Sequence, residues 1–323
     1  MNQTQRRKVS VIIPTRNRAD LLRDALKSIR AIEAEGDDLE FEILVGDNGD
    51  SGSGAKETAG EFGAIYMETT VAGSSATRNL GLERATGEFI TFLDDDDLWI
   101  TGHIRPHIRF LDENPDYDGV VAQVIPTDPD RTPQTEPMPV EHQGNGDDLL
   151  RRMLSGYFPQ IGTCVCRGNA RDAYGLFDLA LLGGQDLDWM LRIAGASRLA
   201  FLQMPAVFVR VRPPGSYDEL NKKRVGFDRK VFFRHALRSP GIWGSPVEVL
   251  RAYTGTLKHF YAYFRDAMEE RAESGDAKGA RSAFWGAMKV FPLRVLKSMF
   301  VHPRFRRAVF TAFGLSCAHT VSA

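Results

Sequence analysis

Along the first two-thirds of the chain, short β-rich apolar runs alternate with longer stretches of helical spacing. Residues 8–14 (KVSVIIP) predict a first strand, short and β-branched. The polar loop Thr15-Arg16-Asn17-Arg18 leads into a helix with the apolar stripe Leu21, Leu22, Ala25, Leu26, Ile29 and Ile32. Residues 41–45 (FEILV) predict a second strand, opening into the loop 46–54 (GDNGDSGSG), and residues 62–67 predict a third. Ser74 or Ser75 can cap a helix through Ala85, which Gly87 ends. Residues 89–93 (FITFL) are continuously apolar, the pattern of a strand buried on both faces. A helix over 100–113 and a strand over 120–125 follow, then a long exposed loop over 126–147 with five prolines. Further strands are predicted at 161–166 and 208–211, with a short helix from 170 and another over 185–193. From about residue 240 the pattern is helical throughout.

Strands alternating with helices predict an α/β fold with a mostly parallel, doubly wound sheet flanked by helices, and a C-terminal helical extension. With right-handed crossovers, the loops after strands one, two and four share one edge of the sheet. Thr15 and Arg16, Asp47 and Asn48, and Asp94 to Asp97 should therefore meet, although they are far apart in sequence. Ligands of open α/β sheets bind outside the carboxyl ends of the strands.

Composition changes this picture little: 43% hydrophobic and 26% charged residues describe an ordinary soluble domain. Cys164, Cys166 and Cys317 have no metal-ligand or disulfide spacing and read as small core residues in a reducing compartment. No apolar signal region precedes the first strand, and no run suits a spanning helix, so a cytoplasmic location is expected. Charge changes the picture more. The net charge is −1, yet residues 278–323 carry eight Lys or Arg and no acid, leaving 33 basic against 42 acidic side chains before them. A basic tail on an acidic body points to an anionic surface.

The chemistry concentrates in EFITFLDDDDLW, residues 88–99, where a buried strand ends in four carboxylates. Adjacent acids repel one another and resist desolvation, and a divalent cation relieves both costs. Carboxylate oxygens are hard donors suited to magnesium, calcium or manganese. Two other motifs fail. Residues 49–56 (GDSGSGAK) lack the lysine directly after the second glycine that a phosphate-binding P-loop needs. His103 and His107, four apart, have no suitably placed acid and read as surface histidines.

Five segments in order, SVIIPTRNR (10–18), Asp47-Asn48-Gly49, ATRNLGL (76–82), ATGEFITFLDDDDLW (85–99) and GGQDLDWMLR (183–192), resemble the family 2 glycosyltransferases of GT-A fold. The resemblance covers roughly residues 8–215. It implies a catalytic domain over 1–215, with a nucleotide-sugar part at about 8–100 and an acceptor part at about 101–215, and a helical extension over 216–323. It further implies inverting, metal-dependent transfer of a sugar from a nucleotide diphosphate donor, a UDP-sugar, to a hydroxyl of a glycan or lipid-linked acceptor. Surface or exported polysaccharide biosynthesis is the implied setting.

By position, Asp96 and Asp94 match the metal-binding Asp-x-Asp pair, the cation being manganese or magnesium, and Asp94 or Asp95 faces the ribose. Asp47 matches the acid that hydrogen-bonds uracil, Pro14, Thr15 and Arg16 those that wall base and ribose, and Arg78 one that approaches the nucleotide. Asp186 matches the general base, the acid of a Glu-Asp pair in which Gln185 here replaces the Glu; Gln185 and Trp189 fall on the acceptor side. For Trp189, core packing and a sugar platform are both open, and Asp188 with Arg192 reads as an i, i+4 ion pair. Arg212 stands where relatives have a metal- or phosphate-binding His; a guanidinium cannot bind metal but can grip diphosphate.

Two alternatives stay open: a sugar-phosphate nucleotidyltransferase, disfavoured because Thr15 to Arg18 lack glycine, and a catalytically silent nucleotide-sugar binding protein. The aromatic and basic tail admits packing on the catalytic part, homo-oligomer formation, or a peripheral position on the anionic inner face of the plasma membrane. Nucleic acid is not an expected partner.

Overall fold

The computed structural model describes residues 6–211 and 218–315. Arg212 and Cys317 lie outside the described residues. The parallel half of the sheet is built from β1 (Arg7–Thr15), β2 (Leu39–Asp47), β3 (Ile65–Glu68) and β4 (Phe89–Phe92), in the order β3-β2-β1-β4. Helices α1 (Ala19–Glu33), α2 (Ala55–Glu61) and α3 (Ser74–Arg84) are the crossovers.

The second half is mixed. β5 (Leu98–Trp99), β6 (Gly119–Thr127), β7 (Val165–Arg167) and β8 (Leu199–Arg210) complete the order β4-β7-β6-β8-β5. β7 runs antiparallel to both β4 and β6, β5 is antiparallel to β8, and only β6 and β8 pair in parallel. The expected strand over 161–166 is shorter: residues 161–163 form a 3-10 turn whose Gly162 N–H bonds the Gln160 side chain. The helices between and after these strands are α4 (Ile104–Glu113), α5 (Asp147–Leu154), α6 (Ala170–Tyr174) and α7 (Gln185–Gly195). The helical region begins with α8 (Asp218–Ala236), ahead of the residue 240 given by periodicity but inside the 216–323 extension, and continues through α9 (Pro246–Glu273), α10 (Ala277–Val290), α11 (Pro292–Val301) and α12 (Pro303–Phe313).

Strand periodicity sorts the core into two layers. Val9, Val11 and Ile13 of β1 pack with the α1 stripe, while Ile12 points the other way, towards Leu82, Phe92 and Trp189. Gly81 of α3 is required by contact: a Cβ there would collide with Ile12. A third core joins α9 to α10 and α12, through Leu257, Phe260, Phe264, Ala283, Phe305 and Val309.

His103 and His107 are not surface residues. Both are fully buried below Trp99, whose ring centroid is 5.0 Å from that of His103. Burial lowers their pKa values to about 3 and about 4, so both stay neutral at physiological pH. The helix stripe at 104, 108 and 111 that was legible in the sequence is wider than expected, because His107 shares the buried face.

Candidate active site

β1 and β2 are in register with Thr15 opposite Asp47, and Leu93 N–H donates to Ile12 O, so all three strand ends open at one edge. A cavity of about 320 Å³ lies there. Pro14, Thr15, Arg16 and Arg18 line it from the first loop, Ser74 and Arg78 from α3, and Asp94, Asp95 and Asp96 from the acid turn. Gln185 and Asp186 close it from the start of α7, and Leu220 reaches it from α8. The cavity thus gathers Thr15, Arg16, Asn48 and residues 94–96, which the crossovers were expected to bring together, with Pro14, Arg78, Gln185 and Asp186 beside them. Asp47 lines the neighbouring, larger cavity of about 730 Å³, whose rim is the glycine-rich loop. There Asp47 accepts from Gly49 N–H at 2.7 Å and from the Tyr66 hydroxyl at 3.0 Å.

The four acids have different surroundings. Asp94 is the most open, with 29% of its side chain exposed; Arg78 Nη2 donates to it at 2.6 Å and Gln160 Nε2 at 3.3 Å. Asp95 is fully buried, accepting from Thr15 Oγ1 at 2.7 Å and pairing with Arg18 at 2.7 Å. Asp96 pairs with Arg18 at 2.9 Å, and its backbone carbonyl accepts from Arg131 at 2.6 Å. Asp97 faces inward, accepting from Arg210 N–H at 3.0 Å and from Gln160 Nε2 at 2.7 Å. Burial pushes Asp95 up to about 7 against the pull of Arg18, and burial with the charges of Asp94 and Asp96 raises Asp97. Among the described residues, Arg18 and Arg78 pair with three of the four carboxylates, Gln160 bonds Asp94 and Asp97, and Arg131 holds the turn through the Asp96 carbonyl.

Arg18, Arg131 and Gln160 are the residues that sequence pattern did not single out. Arg131 belongs to the proline-rich loop, which bridges back onto β6 through Val124 and Met138 and so reaches the acid turn. A polar residue in such a loop carries no sequence signal of its partner.

Asp186 sits in the first turn of α7, where the helix dipole favours a carboxylate, and accepts from Leu187 N–H at 2.9 Å. Gln185 donates to Ser74 Oγ at 2.9 Å, tying α7 to α3. Gly184 adopts φ +67, and a Cβ there would lie 2.5 Å from Asp228 Oδ1. Asp228, from α8, is fully buried and among the described residues neither of its oxygens has a hydrogen-bond partner; Arg224 stands 3.8 Å away. Burial pushes Asp228 up to about 6, with Arg224 opposing and Asp186 adding to the rise.

Trp189 is not an acceptor platform. It is fully buried, stacked on Phe177 at 5.3 Å and edge-on to Phe92, with its Nε1 donating to Gly175 O at 2.9 Å. Helix spacing alone would put Trp189 on the side of Gln185, four residues before it; its packing on Phe177 and Phe92 keeps it in the core and out of the cavity lining. The expected Asp188–Arg192 pair is present at 2.5 Å, but Asp188 is fully buried and also accepts from Arg234 at 2.8 Å and pairs with His235 at 3.0 Å.

Among the described residues, no three His, Cys, Asp or Glu side chains are gathered as a metal shell. The donor set nevertheless suits a hard cation that takes the rest of its shell from phosphate: Asp94 and Asp96 are carboxylates on one turn at the cavity wall.

Known proteins share this architecture. Solved structures of S. aureus TarS 1-349 in complex with UDP (TM-score 0.55, 17% identity, 95% of this chain and 88% of that one) and of the mannosyltransferase PcManGT from Pyrobaculum calidifontis in complex with GDP-Man and Mn2+ (TM-score 0.56, 16% identity, 96% and 87%) have the same fold. A curated relative, the GalNAc(5)-diNAcBac-PP-undecaprenol beta-1,3-glucosyltransferase of Campylobacter jejuni, is 36% identical over 112 residues, 33% of this chain and 35% of that protein. The chain covers only 18% of the length of two further relatives, uncharacterized glycosyltransferases of Rickettsia conorii and Rickettsia felis. The profile of glycosyl transferase family 2 matches residues 10–175, which hold the first loop, Asp47, Arg78 and the acid turn, and the chain belongs to that family.

Proposed function

We propose that the protein transfers a sugar from a nucleotide diphosphate donor to an acceptor hydroxyl, with inversion. The observation that carries this reading is the meeting of the Asp94–Asp96 turn, Arg78 and Asp186 around one cavity at the strand ends. In this reading residues 1–215 are the catalytic unit and 216–323 its extension.

The donor is a UDP-sugar. Asp47 offers a carboxylate to the imide N–H of uracil, and Tyr66 and Gly49 hold that carboxylate in place. Pro14, Thr15 and Arg16 wall the base and ribose, Asp94 rather than the buried Asp95 faces the ribose, and Arg78 lies towards the diphosphate. Arg212, outside the described residues, is assigned to the diphosphate by sequence position alone. The bound UDP of the TarS structure supports this donor class, and the GDP-Man of PcManGT makes guanine the alternative to test.

Asp96 and Asp94 would hold the divalent cation, manganese or magnesium; the Mn2+ of PcManGT supports such a cation here. Bound there, it would neutralise the charge that develops on the leaving diphosphate. On the other side, Asp186 takes the proton of the acceptor hydroxyl as that oxygen attacks the anomeric carbon. Attack from the face opposite the leaving group inverts the centre. Gln185, hydrogen-bonded to Ser74, borders the acceptor side.

The acceptor in this reading is a glycan or lipid-linked hydroxyl, in surface or exported polysaccharide synthesis, at the cytoplasmic face of the plasma membrane. The undecaprenol-linked substrate in the name of the Campylobacter relative supports that class. Among the described residues no helix is long and apolar enough to cross a membrane.

Thermal melting with UDP-, GDP- and dTDP-sugars, each with and without Mn2+, tests the reading. UDP-sugar with Mn2+ should give the largest rise. A flat response to every metal–nucleotide pair sinks the proposal, and a preference for GDP-sugars overturns the donor assignment.

A further inference from the structure

The C-terminal helices bury one set of apolar residues and leave another uncovered. On α11, Val295 and Ser298 face the bundle, while Leu293 (80% exposed), Leu296 (52%) and Phe300 (82%) recur at helical spacing on the opposite side, with Val301 (56%) beside them. Trp285 of α10 is 60% exposed and extends the apolar edge. Side chains of this size are not left in water in a row without a partner.

The charges say what that partner is. The exposed stripe of α10 is Lys278, Arg281, Trp285 and Lys289, and α11 interleaves Arg294 and Lys297 with its apolar residues. No acid occurs from residue 278 onwards. A second copy docking by a two-fold axis would bring this surface against itself, cation against cation. An anionic bilayer offers the complement to both features at once, acyl chains for the leucines and phenylalanine and headgroup phosphates for the lysines and arginines.

The face also lies close to the candidate active site. Leu220 of α8 lines the cavity, and less than one helical turn further on, Lys222 O accepts from Lys289 at the end of α10. Arg229 of α8 donates to the carbonyls of Lys289 and Val290, so the junction from which α11 starts is fixed to the wall of the site.

We propose that α11, flanked by α10, is an in-plane docking helix that seats the protein on an anionic lipid surface. Leu293, Leu296, Phe300 and Val301 enter the acyl boundary. Trp285 lies at headgroup level, where its amphipathic ring is favoured. Arg294 and Lys297 bind lipid phosphate. The α8–α10 contacts then hold the cavity beside the membrane, within reach of an acceptor carried by lipid. The docking itself does not depend on the transfer reaction proposed above.

The test is co-sedimentation of the full chain with phosphatidylglycerol/phosphatidylcholine vesicles and with pure phosphatidylcholine vesicles, without donor or acceptor. The wild type should partition onto the anionic vesicles at least about tenfold more strongly than onto neutral ones, because each basic residue near such a surface contributes about fivefold. Leu293→Ser/Phe300→Ser should lower that partition by more than about tenfold through lost apolar burial. Arg294→Gln/Lys297→Gln should lower it by about twentyfold on anionic vesicles only. Leu237→Ser, at a residue 76% exposed in the turn just after α8, should bind as wild type. Wild type, Leu293→Ser/Phe300→Ser and Leu237→Ser should melt alike, since none of these side chains is buried, and Arg294→Gln/Lys297→Gln should melt only slightly lower through the lost contact of Arg294 with the Tyr261 ring. Equal binding to both vesicle types, no binding, or unchanged binding by Leu293→Ser/Phe300→Ser overturns the proposal. So does a wild-type dimer in sedimentation velocity that the same double variant dissociates, which would make the face a subunit interface.

Discussion

The acid turn after β4 and the single buried acid Asp188 of α7 are treated in opposite ways. In the acid turn, Asp95 and Asp97 are held with raised pKa values, because burial outweighs the cations and amide around them. At Asp188, burial also works against the charge, yet His235 and Arg192 hydrogen bonds, with Arg234 beside them, hold the carboxyl well below the usual range. The Asp188 group is closed: two arginines and a histidine surround one acid, and α7 is locked to α8. The acid turn is open: Asp94, Asp95 and Asp96 line a cavity wall. Raised carboxyls beside a cavity suit a charged ligand, whereas an acid ringed by cations in the interior is a structural tie.

The largest effect expected lies between the two. Asp186→Asn should reduce transfer by about a thousandfold, by the usual worth of a general base, while leaving the donor-induced melting shift intact. Loss of that shift as well would move Asp186 from the acceptor side to the donor side. On the closed side, Asp188→Ala leaves buried His235 and the half-buried Arg234 and Arg192 without the acid they share. It should lower stability by about 3–5 kcal/mol, read by denaturant unfolding. A drop below about 1 kcal/mol would mean the group is not the tie described here.

Arg18→Ala probes the open side. Removing the guanidinium that bridges Asp95 and Asp96 should cost about 1–3 kcal/mol in metal-free buffer. Added Mn2+ should restore more stability to this variant than to the wild type, since a cation can take over the neutralisation. An equal metal response in both proteins would break the contrast between the groups.

Acidity sharpens it further. A carboxyl with a depressed folded-state pKa stabilises the fold above its unfolded pKa, and that contribution is lost as the pH falls. Stability owed to Asp188 should therefore be present at neutral pH and decline below about pH 4. In Asp188→Asn the acid limb of the melting curve should flatten. The smallest effect is that of Trp189→Phe, which loses the hydrogen bond to Gly175 O. About 1 kcal/mol of stability should go with it. The acceptor KM should not change, and a change would return Trp189 to the acceptor site.

Much of the sheet was legible in the sequence because strands buried on both faces read as short apolar runs. The meeting of Thr15, Asp47 and the acid turn followed from right-handed crossovers alone. Where pattern failed, side chains carried an ambiguous message. Trp189 suits a core and a sugar platform equally by composition, and only the stacking of Phe177 and Phe92 decided for the core. His103 and His107 looked polar, but the packing of α4 beneath Trp99 made them core residues. Asp228 and Arg131 had no local signal, since each matters only through a contact made by a distant segment.

The sequence by itself determined the order of elements, the acids at the end of β4, the acid at the start of α7 and the basic, aromatic character of the tail. These are properties of neighbours along the chain, set by periodicity and by the chemistry of single residues. The tertiary structure decided which acids are neutralised and by what, that buried Asp228 comes up against Gly184 at the start of α7, and which tail residues stay uncovered. Each of those depends on long-range packing, where desolvation and partner geometry set the charge and exposure of a side chain and no local spacing encodes them.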